Sequence, residues 1–352
     1  MALTQLQAAM WQKARALGAG DDGVALSDEM CSYLLARLIS DLGARSSFSE
    51  IPRELPALFS DQPAAEQILR GIDCSDLFER VVAKIPDSDV YFMCLASLQK
   101  ARLKYERILT AQPLPTLEQV GPRALLQFGK LSSEGLISFL FWRKWFYDID
   151  GRAGQETGYL FEPLIALAIG GTPAPAAKSP VKRHSDRKKG RQVDCIKNNR
   201  AYEFKIRVTI AASGQGRWRE ELDFPLDCRK SGFTPVLVCL DGTRNPKLDA
   251  LEKAFIKQKG EVYIGAEAWK HLEGLAGKTT GAFLEQYVRA PLQSLQAKAG
   301  IRVLDLSARA RDGSIEISVG PDTLRIQRHV DPALASGRDE MPDDADDVIP
   351  GG

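Results

Sequence analysis

The sequence predicts an α/β protein: a central mixed β-sheet flanked by helices, preceded by an N-terminal helical domain. Three observations carry this prediction. Up to about residue 145 apolar residues recur at helical spacing; from about 150 helical runs alternate with short β-branched and aromatic runs; and Gly, Pro, Asn or Asp separate them. A length of 352 residues with 44% hydrophobic content suffices for two cores at about 150 residues each. The expected division is a mostly helical segment at 1–145, a sheet-bearing core at 146–292, a β-rich extension at 293–330 and an acidic, disordered tail at 331–352.

Each element has its own signal. DEMCSYLLARLISDLGARSS and SDVYFMCLASLQKARLKYERILT open on Ser or Asp and stop at Gly or near Pro, as capped helices do. QPLPTLEQVGPR, at 112–123, reads as a connector. SEGLISFLFWRKWFYDID reads as an apolar helix for a core or a dimer interface, not a base-stacking surface. GQETGYLFEPLIALAIGG predicts a helix ending at Gly170-Gly171, with Pro163 starting a segment or kinking it. A basic, Pro-rich exposed loop follows. A hairpin over 193–207 then turns at Asn198-Asn199, since Asn tolerates the left-handed backbone of a two-residue turn. Residues 213–232 read as a loop with short helices and TPVLVCLD as a buried strand. NPKLDALEKAFIKQKG is a helix started by Asn245-Pro246, EVYIG a strand, AEAWKHLEGLAG a helix, and 301–330 a β-meander.

Composition narrows the function. No apolar run approaches the roughly 20 residues of a membrane helix, and the first residues lack a signal peptide's continuous apolar stretch, so the expected compartment is the cytoplasm and no membrane partner is expected. Six scattered cysteines without a C-x-x-C pair read as reduced core residues. His184, His271 and His329 lack metal-ligand spacing and read as structural; no P-loop, G-x-S-x-G or dinucleotide fingerprint is present. The net charge of +1 hides an asymmetry: residues 331–352 carry seven Asp or Glu against one Arg, a net −6, which leaves +7 on residues 1–330. Within that body KSPVKRHSDRKKGR, at 178–191, has seven Lys or Arg against one Asp, a solvated loop or a surface for a phosphate backbone.

The hairpin raises a question of charge. Its register sets Lys197 against Arg200, Ile196 against Ala201, Cys195 against Tyr202, and therefore Asp194 opposite Glu203, where like charges repel. Tyr202, Phe204 and Ile206 point to the core, so Glu203, Lys205 and Arg207 share the other face with Asp194. A hard divalent cation such as Mg²⁺ would relieve the repulsion, because it takes one or two carboxylates and completes its shell with water and substrate phosphate. Lys205 would position a nucleophilic water or offset charge at phosphorus, and would act as a base only with a lowered pKa. The alternative is an exposed hairpin face on which Lys205 merely pairs with the acids.

Asp194 followed by EFK at 203–205 on the next strand, with an acid-bearing helix before and helix and strand after, resembles the PD-(D/E)xK nuclease superfamily. The likeness covers about residues 150–275. It implies a restriction-endonuclease-like core, Mg²⁺ held by Asp194, Glu203 and the backbone carbonyl of Phe204, water activation by Lys205, and a helical acid at Glu162, with Glu156 as the rival position. Val193 stands where the signature has Pro. RQVDCIKNNRAYEFKIRVTIAASGQGRW with SGFTPVLVCLD looks like the type II restriction endonucleases of the ApaLI-like group. That resemblance implies cleavage of double-stranded DNA at a short palindrome to 5′-phosphate ends by a homodimer, with a DNA methyltransferase as functional partner.

Two stretches are expected to hold DNA. Lys182, Arg183, Arg187, Lys188, Lys189 and Arg191 in the basic run would supply sequence-independent phosphate contacts. Arg207, Ser213, Gln215, Arg217 and Arg219, on the loop after the motif strand, have chemistry suited to phosphates or base edges, although an ordinary polar loop would look the same. Trp218 reads as packed. The competing functions are a nonspecific or structure-selective DNA repair nuclease of the same fold and a catalytically inactive DNA-binding protein.

Overall fold

A computed structural model of the chain describes residues 3–17, 24–60, 62–128, 134–206, 215–297, 306–311, 313–319 and 321–328. Its residues gather into two compact units, one formed by 1–104 and 155–301 and the other by 105–154 and 302–352. Neither unit is continuous in sequence.

The first unit holds a five-stranded mixed sheet in the order β1 (Thr172–Ala174), β2 (Val193–Lys197), β3 (Arg200–Lys205), β4 (Thr234–Cys239) and β5 (Glu261–Ile264). β1, β2 and β3 are antiparallel neighbours; β3, β4 and β5 run parallel. Helical crossovers supply the parallel part, as such connections require. Of the eleven α-helices among the described residues, α1 (Gln5–Arg15), α2 (Asp28–Asp41), α3 (Cys74–Lys84) and α4 (Ser88–Ala111) precede the sheet, and α5 (Leu117–Phe128) and α6 (Glu134–Ala168) lead into it. α7 (Gln215–Lys230) joins β3 to β4, α8 (Pro246–Lys257) joins β4 to β5, and α9 (Ala266–Leu275), α10 (Lys278–Leu284) and α11 (Ala290–Ala297) follow.

The two sheet faces are filled by different residues, because side chains alternate along a strand. Cys195, Tyr202, Phe204, Val236 and Val238 join the larger core with α2, α3, α4, the end of α6 and α9. Ala201 and Leu237 meet Phe224 and Cys228 of α7 and Leu251 and Phe255 of α8 on the other side; Val193 also packs there, although it is two residues from Cys195, where the β1 pairing shifts register. Tyr202 and Phe204 are almost fully buried, as their place on the apolar side of the hairpin predicts.

Local chemistry explains the boundaries that matter for the site. α6 ends in a Schellman arrangement: Gly171 N–H bonds the Ala166 carbonyl at 2.8 Å, Gly170 N–H bonds that of Leu167 at 2.9 Å, and Gly170 has φ +70°. A Cβ on Gly171 would lie 2.1 Å from Cys195 Sγ, so only glycine lets β1 start against β2. The hairpin turns at Asn198, with φ +55°. Asn245 caps α8 through Lys247 and Leu248 N–H, with Pro246 in the first turn.

Three expectations fail here: residues 117–123, expected within a connector, belong to α5; Thr172–Ala174, expected in an exposed loop, form edge strand β1 against β2; and the third concerns the stretch after β3. Residues 215–230 are not a loop with short helices but one helix, α7, with Pro225 inside it. Pro225 lacks the N–H that would bond the Glu221 carbonyl four residues earlier, yet Phe224 and Cys228, four apart, are both buried against the sheet and hold the helix in place.

The second unit carries a separate antiparallel sheet, β6 (Leu306–Arg311), β7 (Ser314–Val319) and β8 (Asp322–Gln327), the meander expected near the C-terminus. Its Ile315 and Ile326 are buried with Trp145 of α6. Among the described residues no helix is long and apolar enough to cross a membrane. The tail, 331–352, lies outside the described residues.

Candidate active site

β2 and β3 bring the acids and the lysine together. Glu203 and Lys205 are two residues apart and so share one side of β3, at its carboxyl end, and Asp194 is the second residue of the antiparallel β2, which starts at the same end. Clefts beyond the carboxyl ends of parallel strands are the usual ligand sites of such sheets. The pairs Lys197–Arg200, Ile196–Ala201 and Cys195–Tyr202 form as expected. Asp194 departs from the register. The ladder ends at Cys195–Tyr202, and the Asp194 carboxylate instead accepts the N–H of Phe204 at 2.8 Å, so it is held by backbone and not by a regular rung opposite Glu203.

The carboxylates nevertheless feel one another. Burial, then the charges of Glu203 and Glu162, push the Asp194 carboxyl well above the ordinary Asp range, against the smaller opposing pull of Phe204 N–H and Lys205. Glu162 therefore belongs to this neighbourhood. α6 runs unbroken through Pro163 and keeps Glu162 on the helix that packs beneath the hairpin. The side chain of Glu156 lies outside the described set.

Lys205 Nζ lies 2.9 Å from Glu203 Oε1 and 3.6 Å from Glu221 Oε1 on α7, with the three side chains between 15% and 23% exposed. Burial alone would lower its pKa, but Glu203 and Glu221, with Asp194 behind them, outweigh that and raise it. The ammonium stays charged. In that state Lys205 can orient a water or neutralise an oxyanion. Glu221 was not singled out from the sequence: its stretch reads as a polar loop, and only the helix it forms brings it within 3.6 Å of Lys205.

The expected DNA-contacting residues divide into several groups. The basic run is no loose loop: Lys182 and Gly190 form an antiparallel bridge, Arg183 N–H bonds the Lys189 carbonyl and Arg191 N–H that of Val181. Asp227, with its side chain 1% exposed, anchors this turn by accepting from His184 N–H at 2.6 Å, His184 Nδ1 at 2.7 Å and, more distantly, Arg191 at 3.5 Å. Arg191 is 8% exposed, donates to the Glu220 carbonyl and lies over the Phe224 ring. It is a buried strut whose charge is used inside the fold. Arg183 pairs with Glu220 at 2.5 Å and Lys182 is half-buried, whereas Arg187, Lys188 and Lys189 are exposed at the tip. Arg219 is exposed on the first part of α7; Gln215 and Arg217 share that helix, their side chains outside the described set. Arg207 and Ser213 lie outside the described residues. Trp218 packs on the α7–α8 side of the sheet under Lys247. Removing the buried partner of Arg191 leaves a charge without compensation, so Asp227→Ala is expected to lower stability by about 3 kcal/mol in urea unfolding.

Comparison with known proteins decides the family. The model of the ApaLI-like restriction endonuclease family matches residues 58–289, which contain every element of the site. The chain belongs to this family. Type II restriction enzyme ApaLI of Acetobacter pasteurianus is 44% identical over 291 residues, covering 78% of each chain. No solved structure matches the chain. Membership places the acid, acid and lysine cluster within a family of site-specific DNA-cleaving enzymes, and a mixed sheet flanked by helices is the fold that its resemblance to the superfamily implies.

Proposed function

We propose that this protein hydrolyses double-stranded DNA at a short palindromic site as a homodimer, using Mg²⁺ and leaving 5′-phosphate and 3′-hydroxyl ends. The observation that carries this is the cluster of Asp194, Glu203 and Lys205 at one end of the sheet in a chain whose family cleaves DNA at defined sites. The donor set fits a hard divalent cation: Asp194 and Glu203 offer oxygens, and Asp194 is destabilised as an anion by burial and by Glu203 until a positive charge joins it. Among the described residues no group of three or more His, Cys, Asp or Glu is placed to hold a metal ion. Two carboxylates, with the Phe204 carbonyl as a third donor, suffice for an ion that keeps waters and takes substrate oxygens. When bound, the cation supplies charge neutralisation at the scissile phosphate.

The chain's own residues do the remainder. Asp194 is oriented by Phe204 N–H. Glu203 pairs with Lys205 and would also help hold the cation. Lys205, kept protonated by Glu203 and Glu221, aligns the attacking water by donating to it and opposes charge on the phosphorane-like transition state. Glu162 adds negative charge on the helical side. Arg187, Lys188 and Lys189 at the tip of the basic turn hold the phosphate backbone without reading sequence. A two-fold dimer matches a palindrome, and a methyltransferase of the same specificity would protect the host's own sites. Six buried, unbridged cysteines suit the reducing cytoplasm.

Incubation with phage or plasmid DNA and Mg²⁺ is expected to give discrete fragments with ligatable 5′-phosphate ends. A smear would favour a nonspecific repair nuclease. No cutting of any DNA, together with unimpaired DNA binding, would favour the inactive binding protein.

A further inference from the structure

The C-terminal sheet has two unlike faces. Ala308, Ala310, Ile315, Ile317, Leu324 and Ile326 alternate with a second set, and of these Ile315 and Ile326 are buried against Trp145. The opposite face places Arg309, Glu316 and Arg325 in one row across the three strands, because Arg309 pairs with Glu316 and Glu316 with Arg325. Arg311 lies two residues along β6 on the same side. Arg309, Arg311 and Arg325 are exposed, the side chains of the latter two at 58% and 60%.

Glu316 organises this face. Its Oε2 accepts from Arg311 Nε at 2.9 Å and its Oε1 from Arg325 Nε at 3.1 Å, so one acid fixes two guanidinium planes while both remain open to solvent. The row's other polar members are hydroxyls and an amide: Ser307, Thr323 and Gln327 are exposed, and Ser318 shares a hydrogen bond with Thr323 at 2.9 Å. Three arginines against one glutamate leave +2 on a face whose other described side chains are neutral and polar. Planar, preoriented guanidinium groups suit phosphodiester oxygens. Residues 306–327 lie outside the family match at 58–289, so nothing in the match assigns them a role.

We propose that this arginine face docks the phosphate backbone of duplex DNA as a second contact surface in addition to the catalytic cluster. The inference rests on the nuclease reading above. It predicts an affinity contribution that is sequence-independent and salt-dependent, since each phosphate neutralised contributes about 0.9 to the slope of log K against log salt.

The test is fluorescence anisotropy of a labelled duplex with the full-length protein in Ca²⁺, at several NaCl concentrations. The triple variant Arg309→Ser, Arg311→Ser, Arg325→Ser is expected to reduce the magnitude of the salt slope by about 2 and to weaken binding more than tenfold at low salt. The triple Arg→Lys variant restores the slope, which separates charge from folding. An unchanged slope in the Ser variant, with wild-type protein binding and cutting DNA, overturns this proposal alone. Wild-type protein that neither binds nor cuts DNA sinks the nuclease reading with it. A third outcome concerns the acidic tail: if the Ser variant loses slope only when the seven acids of 331–352 are changed to Asn or Gln, the face belongs to the tail and the proposal is overturned.

Discussion

Asp194→Asn is expected to reduce DNA cleavage by up to about a thousandfold, the upper end of what removing one electrostatic group from a preorganised site costs. The same substitution is expected to stabilise the metal-free protein. Burial and the charges of Glu203 and Glu162 raise the Asp194 pKa, so the folded chain holds that proton more tightly than the unfolded chain does. Stability contributed by protonated Asp194 is therefore present at low pH and is lost as pH rises from the ordinary Asp value through the raised one. Asn keeps the shape without the charge and removes that loss. A gain of about 1 kcal/mol would raise Tm by roughly 2–4 °C, read by thermal unfolding in EDTA at pH 8, and the gain should shrink on acidification. Added Mg²⁺ should stabilise the wild-type protein more than the variant. A variant that is inactive and also less stable at every pH would indicate that Asp194 is a structural acid.

Lys205→Ala is expected to lower the single-turnover rate by about 10²–10³-fold while duplex binding in Ca²⁺ stays within a factor of about two, since Lys205 opposes charge that develops only in the transition state. Glu221→Gln separates positioning from chemistry. It is expected to cost about tenfold, as loss of an orienting partner does, and to change the pH profile in a way that a packing defect would not. With Glu221 neutral, burial pulls the Lys205 ammonium down with less opposition. The descending limb of the rate profile should then move to lower pH. If Glu221→Gln slows the reaction equally at all pH values, the contact seen at 3.6 Å does not hold the lysine's charge.

These two experiments bear on residues that differ in how they could be found. Asp194, Glu203 and Lys205 were legible because a strand alternates with period two and a two-residue Asn turn fixes its partner's register, so three side chains followed from fifteen residues of sequence. Glu162 was legible only through resemblance, and Pro163 obscured it, since sequence cannot say whether a proline breaks a helix or rides within it. Asp227 and Glu221 were not legible. Their helix contains Pro225 and is rich in charge, and its order comes from Phe224 and Cys228 settling on a sheet whose position no local pattern reveals.

The sequence by itself determined strands β2 to β5, the hairpin register near its turn, the capped helices and the grouping of Asp194, Glu203 and Lys205, because each depends on contacts between residues close along the chain; β1, in a stretch that reads as an exposed loop, was not among them. Only the tertiary structure decided that Asp194 leaves the ladder to bind Phe204 N–H, that Lys205 is held charged by an acid from another element, that Arg191 is buried against Asp227, and that each compact unit is assembled from separated stretches. The reason is physical: burial and charge pairing depend on which surfaces meet, and the segments that meet here lie tens to hundreds of residues apart.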